Sequence, residues 1–181
     1  MKGGPMMSKV TCGLFWGTMG TRHCRIIPGK PGSVTGGSSQ KLGKNMMQTM
    51  GLSRRTKWTG YQAQHIIPVE LNNHPILKKM GFDLDAASNG MFLRIPGNDV
   101  SATSRHQGYH APYNKLVEKL LDRININASI NSLQKEVKSI QNNLRKMQQT
   151  GIVLYSKQGA SLELLERTYK RLTSKKGSAN G

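Results

Sequence analysis

The chain has 181 residues, of which 27 are Lys or Arg and 9 are Asp or Glu, so its formal net charge is +18. This length suits one domain with additions, and the charge favours a polyanionic partner such as nucleic acid, an anionic membrane surface or an acidic protein. No stretch reaches the roughly 18 apolar residues of a membrane span, and two cysteines are too few for a disulfide framework.

The first 40 residues are rich in Gly, Ser, Pro and Lys. Ordering such backbone costs much conformational entropy, so residues 1–40 are predicted to form a flexible segment. They show no apolar core of a secretory signal. A short helix is expected over residues 40–50, with Ser39 as its N-cap and Gly51 just past its end.

The next region, residues 41–124, carries the chemically informative motifs. A β-branched pair followed by Pro68 predicts a short strand that ends in a turn. One or two helical turns are expected from Pro75, closed by Gly81.

An Asn-Gly pair stands at Asn89 and Gly90, which is typical of a type I′ turn. We therefore expect a small hairpin or loop with Asn89 at its bend. Asp83 and Asp85 precede this bend and are expected to shape it rather than to bind metal.

Helical periodicity begins at Pro112, which suits the first turn of a helix. The apolar face behind it comprises Tyr113, Leu116, Val117, Leu120, Leu121 and Ile124. Residues 125–181 continue as a helical extension whose apolar positions alternate spacings of four and three. Two interpretations stay open here, a helical hairpin on the core and an arm for dimerisation or partner binding.

Four histidines lie in the middle region, and three of them suggest a site. His106 and His110 are four residues apart, so their rings can converge on one cation. His65 stands at the predicted strand end beside Gln64. His74 lies between the motifs and is expected to be structural.

Three ordered motifs carry a family resemblance, namely residues 62–68 (QAQHIIP), 89–93 (NGMFL) and 106–114 (HQGYHAPYN). Together they resemble the AHH nucleases of the HNH and endonuclease VII superfamily, which occur at the C-termini of bacterial polymorphic toxins and secretion-system effectors. The resemblance covers roughly residues 42–124. It implies an α+β, mostly helical fold with a small ββα-metal (treble-clef) finger, flanking helices and the C-terminal extension.

The resemblance also implies roles for individual residues. His65 would be the general base, a task suited to an imidazole because it titrates near neutral pH. Asn89 would accept a hydrogen bond from the other ring nitrogen of His65. His106 and His110 would hold one divalent metal ion at the scissile phosphate. Arg105 and Arg94 are weaker candidates for contacts with flanking phosphates.

One position departs from the family pattern. Gln64 stands where the family has a second histidine that binds the metal, and an amide oxygen is a weaker, harder ligand. Three possibilities stay open: Gln64 coordinates the ion, water fills the position, or the site is impaired. The imidazole ligands suit Zn²⁺, Ni²⁺, Co²⁺ or Mn²⁺, while millimolar Mg²⁺ can also support turnover.

The leading hypothesis is therefore a metal-dependent endonuclease that hydrolyses DNA with little sequence specificity, because charge gives affinity for the backbone and not for base edges. Its family context implies a secreted antibacterial effector toxin, delivered without a signal peptide to the cytoplasm of a target cell and blocked by an acidic immunity protein. The alternatives are an impaired nucleic-acid-binding module, a ribonuclease toxin and, more weakly, a membrane-active basic protein. We expect no membrane partner, and the sequence does not specify the oligomeric state.

Overall fold

A computed structural model of the chain describes residues 30–95, 104 and 110–174. Within these ranges it forms five α-helices and one sheet of two antiparallel strands, which confirms the predicted α+β, mostly helical class. In chain order the elements are α1 (Ser39–Thr49), β1 (Tyr61–His65), α2 (Pro75–Met80), β2 (Gly90–Arg94), α3 (Ala111–Asp122), α4 (Ile130–Gln149) and α5 (Leu162–Ser174).

The two strands and α3 supply the expected ββα arrangement. Tyr61 lies opposite Arg94 and His65 lies opposite Gly90, so His65 is the last paired residue of β1. The β-branched residues Ile66 and Ile67 follow the strand instead of forming its end, and both are fully buried in the core. Ile66 donates its backbone N–H to the carbonyl of Asn89 just before β2, whereas the backbone N–H and carbonyl of Ile67 are hydrogen bonded to the Asn89 side chain.

The predicted type I′ turn at Asn89-Gly90 is wrong. Asn89 ends a 3₁₀ turn (Ala87–Asn89), and Gly90 begins β2 with a φ of −120°, whereas a type I′ turn needs positive φ at both central residues. Gly90 serves close packing here, since a Cβ atom on it would lie 2.5 Å from the Met46 sulfur of α1. The close packing of α1 therefore requires a residue without a side chain at this position.

The helix boundaries mostly follow their capping signals. α1 begins one residue earlier than predicted, because the Ser38 hydroxyl, and not that of Ser39, accepts the backbone N–H of Lys41 at 3.3 Å. Gly81 closes α2 in the left-handed region with a φ of 64°, as predicted. Pro112 occupies the first turn of α3, also as predicted.

The main core is built by α2, α3, α4 and α5. All six apolar positions predicted on α3 and just after it are buried. The seam of α4 is buried from Leu133 to Met147, whereas Ile126 and Ile130 at its start are exposed. Since α5 packs against both α3 and α4, the two C-terminal helices form a hairpin on the core. Across the described ranges no helix is both long and apolar enough to cross a membrane.

Residues 30–38 form the last part of the predicted N-terminal segment and contact the region that follows α2. Thr35 donates its backbone N–H to the carbonyl of Phe82 at 2.9 Å and accepts the N–H of Leu84 at 2.8 Å. This end of the segment therefore packs on the domain, while residues 1–29 lie outside the described ranges. The division of the chain at residues 40 and 124 stays a prediction.

Candidate active site

The end of β1 presents two adjacent buried polar residues, Gln64 and His65, whose exposed fractions are 2% and 8%. Neighbouring strand residues point to opposite faces of a sheet. Gln64 accordingly reaches His110 before α3, and His65 reaches Asp85 before β2. The two polar pairs therefore flank the end of β1, and no hydrogen bond or ring contact joins the two described imidazoles.

The His65 ring is held by a carboxylate. Its Nε2 lies 3.1 Å from Oδ1 of Asp85, and both side chains are buried. The same oxygen accepts the backbone N–H groups of Gly37 and Ser38, each at 2.8 Å. Because a carboxylate oxygen can only accept, Nε2 of His65 is the donor in this contact, and in the neutral ring the lone pair is then on Nδ1.

The second pair is centred on His110, the N-cap residue of α3. Its Nδ1 lies 2.7 Å from Oδ1 of Asn114, one turn further along the helix. Because that amide oxygen can only accept, Nδ1 carries the proton and Nε2 carries the lone pair. The lone pair faces the side-chain amide of Gln64, whose nitrogen is 2.7 Å away.

Burial lowers the pKa of His110 below its ordinary value, and the Asn114 hydrogen bond and the charge of Glu70 offset this only in part. A lowered pKa keeps the ring neutral at neutral pH. A neutral imidazole whose other nitrogen donates to a carbonyl oxygen is the usual state of a histidine that binds metal.

Asn89 does not accept a hydrogen bond from His65, so this part of its predicted role is wrong. Its side chain is fully buried and makes four other hydrogen bonds. The amide oxygen accepts from Ile67 N–H and from Gln141 of α4, and the amide nitrogen donates to the carbonyls of Ile67 and Leu84. Asn89 thus fixes the backbone that follows β1, and Asp85 occupies the position beside His65.

Helix α4 is hydrogen bonded to the backbone at the start of β2. Arg145 donates to the carbonyls of Ser88 and Gly90, at 2.8 and 3.2 Å, and so holds the start of β2. Burial lowers the pKa of Arg145, since few water molecules reach the guanidinium.

A second connection between α4 and the strand end runs through Tyr113. Its hydroxyl donates to the carbonyl of Ile66 and accepts from Gln148 of α4, both at 2.7 Å. Burial raises the pKa of Tyr113, so the hydroxyl stays protonated and can donate.

The remaining predicted site residues lie elsewhere or outside the described ranges. His106 and Arg105 belong to the residues that the structure does not describe. Arg94 lies at the opposite end of the strand pair from His65, with its guanidinium carbon 5.8 Å from the Tyr61 ring centre. His74 is structural, as predicted, because its Nδ1 caps α2 and its Nε2 contacts Asp122.

The described residues supply two neighbouring groups that fit a divalent ion. His110 offers a nitrogen lone pair, and a rotation of the Gln64 amide would turn its oxygen to the same side. Within the described ranges there is no group of three or more His, Cys, Asp or Glu side chains that could hold a metal. The donor set is therefore an imidazole and an amide, and the predicted third ligand, His106, lies outside these ranges.

Two residues of the site were missed by the sequence reasoning. Asn114 could have been found, because positions 110 and 114 are one helical turn apart and such side chains are neighbours. Asp85 carries no comparable signal, since it lies 20 positions from His65 and its neighbours suggested only a turn.

Comparison with known proteins supports one assignment. A family model described as a nuclease family of the HNH/ENDO VII superfamily with conserved AHH matches residues 45–149, from within α1 to the end of α4. At the AHH position this chain has Ala63, Gln64 and His65. Comparison with curated proteins and with solved structures found no match. Because the matched region is more than half of the chain and contains both polar pairs, the chain belongs to the AHH nuclease family of the HNH/ENDO VII superfamily.

Proposed function

We propose that this nuclease is a metal-dependent endonuclease that hydrolyses phosphodiester bonds in DNA at the end of β1. The observation that carries the proposal is the 3.1 Å contact between Nε2 of His65 and Oδ1 of Asp85. A hydrogen bond donated from Nε2 to the carboxylate leaves a lone pair on Nδ1 of the neutral ring, which is what a general base needs. Gln64 directly precedes His65 in the chain and contacts His110, and these two side chains can hold a divalent ion.

In the proposed reaction, Nδ1 of His65 takes a proton from water as the water oxygen attacks phosphorus. The bond between phosphorus and the leaving sugar oxygen breaks, and that oxygen takes up a proton from solvent. Asp85 stabilises the imidazolium that forms and keeps the ring in place. A divalent ion held by His110 and Gln64 would neutralise the negative charge that builds up on the phosphate and the leaving oxygen.

The test is plasmid cleavage by the full chain with a panel of cations. Supercoiled DNA is incubated with Mg²⁺, Mn²⁺, Ni²⁺ or Zn²⁺, each with and without EDTA. The proposal expects nicking followed by degradation with at least one cation, and no cleavage with EDTA. DNA that stays supercoiled with every cation would contradict catalysis by this chain.

One observation favours a second candidate, a nucleic-acid-binding module that has lost catalysis. Gln64 replaces a family histidine, and a neutral amide oxygen binds first-row metals more weakly than an imidazole does. Reversion by Gln64→His separates the two candidates. If only the revertant cuts, the wild-type chain is an impaired nuclease; if wild type cuts and the revertant needs less metal, Gln64 is a working ligand.

The substrate class is proposed from charge and not from base contacts. A net charge of +18 supplies affinity for any phosphodiester backbone, and this affinity falls steeply with salt. We propose DNA as the main substrate and RNA as the variant to be tested beside it. Equal cleavage of DNA duplexes with unrelated sequences would support low specificity, and a preference for RNA would identify a ribonuclease.

We further propose that the nuclease acts as a secreted antibacterial effector toxin. The proposal is supported by the resemblance of its motifs to the nuclease domains of bacterial polymorphic toxins. A toxin of this kind requires protection of the producing cell, and its positive charge favours an acidic immunity protein. Growth arrest on expression in the cytoplasm, lost in His65→Ala, is the expected result, and normal growth with soluble active protein would overturn it.

A further inference from the structure

A groove lies between α1 and the loop that leads into β1, with a volume of about 660 Å³. Half of its eight lining residues carry positive charge, and none is acidic. Two aromatic rings complete the wall. The residues that matter are Lys44, Arg54, Arg55, Lys57, Trp58 and Tyr61, and we call this feature the basic groove.

The positive charge of the basic groove is not neutralised by the described part of the chain. Arg54 donates to the amide oxygens of Asn45 and Gln48, at 2.6 and 2.9 Å, and these partners are neutral. Arg55 and Lys57 are exposed and form no ion pair within the described ranges. Such a cluster lowers the energy of an anion that lies along it.

The wall of the basic groove is held in place by packing. The Trp58 ring lies on α1 where Gly43 has no side chain, and a Cβ atom there would come within 2.7 Å of the indole. Its other neighbour is Phe92 of β2, with ring centres 5.7 Å apart. Tyr61 is 43% exposed, so part of its ring is accessible to a ligand, with the guanidinium carbon of Arg94 5.8 Å from the ring centre.

The basic groove and His65 lie on the same side of β1. Tyr61 and His65 are four residues apart, and strand side chains alternate, so these two residues share a face. Four residues of antiparallel strand span about 14 Å. Ala63 lies between them on this face and is buried against Leu42 and Met46 of α1, so a substrate strand that contacts both ends passes around α1.

We propose that the basic groove binds the phosphate backbone of the substrate strand to one side of the scissile phosphate at His65. This inference rests on the proposed function, because it assigns the path of the same substrate. An extended polyanion fits the groove, because four basic side chains line it and a chain of phosphates can contact several of them at once. Asn45 and Gln48 hold the guanidinium of Arg54 in place, and because both are neutral they do not cancel its positive charge.

The experiment measures binding and excludes cleavage. Wild-type protein and the double variant Arg55→Gln/Lys57→Gln are titrated in EDTA against a labelled duplex of about 20 base pairs at about 50 to 200 mM salt. Each lost phosphate contact should reduce the slope of log K against log salt by about 0.9, so the variant should lose about 1.8. The matched control is Lys135→Gln/Arg167→Gln, which removes the same charge from exposed positions on α4 and α5 and should keep the wild-type slope.

Each outcome decides the proposal. A slope that falls only in the groove variant supports it, and parallel titrations with single-stranded DNA and an RNA hairpin show which backbone is preferred. Equal slopes in all three proteins overturn it, as does a groove variant that loses affinity for polyglutamate but not for nucleic acid. Failure of the nuclease proposal would appear separately, as normal salt-dependent binding without cleavage when metal is restored.

Discussion

The imidazole of His65 donates from Nε2 to Oδ1 of Asp85, and this oxygen also accepts the backbone N–H groups of Gly37 and Ser38. One carboxylate oxygen thus joins the proposed base at the end of β1 to the residues that precede α1. The matched family region begins at residue 45, so two of these three donors lie before it. The contacts of the proposed base therefore include residues outside the family match.

The substitution Asp85→Asn should impair cleavage more than folding. The amide oxygen of the new side chain can still accept from His65, Gly37 and Ser38, but a neutral amide no longer stabilises the imidazolium that forms during the reaction. We expect single-turnover cleavage to fall by about 100-fold or more. The tautomer of His65, read from its ¹⁵N chemical shifts, should stay as in wild type, so that loss of cleavage with an unchanged tautomer reports the lost charge, whereas cleavage at the wild-type rate would contradict the role of Asp85.

Replacement of Asn89 by Ala should destabilise the fold. It would leave four buried groups without a hydrogen-bond partner, namely the N–H and carbonyl of Ile67, the carbonyl of Leu84 and the side-chain amide nitrogen of Gln141. Each stranded group costs about 1–3 kcal/mol, so the free energy of unfolding in urea should fall by at least about 3 kcal/mol. The neighbour Ser88→Ala is the control, with an expected change within about 0.5 kcal/mol. Equal losses in both variants would argue against the special role of the Asn89 amide.

Replacement of Tyr113 by Phe should also lower stability. The phenyl ring keeps the packing but leaves the Ile66 carbonyl and the Gln148 amide without their partner. We expect a loss of about 1–3 kcal/mol in the free energy of unfolding. Tyr169→Phe is the comparison, because that hydroxyl is only part-buried and accepts one long bond from Asn143 at 3.4 Å. A larger effect at Tyr169 would contradict the proposed connection between α4 and β1.

The pair formed by Lys119 and Glu166 predicts a pH-dependent contact between α3 and α5. The hydrogen bond from Lys119 lowers the pKa of Glu166 below its ordinary value of 4.5. Stabilisation is therefore present above pH 4.5 and is lost as the pH falls through the lowered pKa. Glu166→Gln should slightly lower the Tm at neutral pH, and this difference should vanish in acid and in high salt, whereas Glu163→Gln should have no such effect. A pH-independent difference would exclude the ion pair as its cause.

Local patterns predicted those parts of the fold that local chemistry controls. α2 ends at Gly81 because the left-handed region suits glycine, and the apolar face of α3 follows from its spacing. The Asn-Gly signal failed at Asn89 because a buried amide with four partners and the contact of Gly90 with α1 outweigh a turn preference. Such contacts join residues that are distant in the chain, so no short window contains them.

In the candidate site too, short motifs predicted some residues but not the contacts between distant ones. Gln64, His65 and His110 are in the candidate site because the family motifs contain them, and the structure places the side chains of Gln64 and His110 in contact. Their roles in catalysis and metal binding stay predictions. The partner of His65 was misassigned to Asn89, because Asp85 approaches only after residues 81–85 pack against residues 35–38. Spacing along the chain does not encode that approach.

The most direct test of the account compares single-turnover DNA cleavage by wild type, His65→Ala and His74→Ala with saturating metal. All three proteins should be folded and should bind the metal with similar affinity, since His110 and Gln64 are unchanged. The account predicts that His65→Ala loses cleavage by at least about 100-fold while His74→Ala keeps it, apart from a small change in stability. Cleavage by His65→Ala at the wild-type rate would contradict the assignment of His65 as the base.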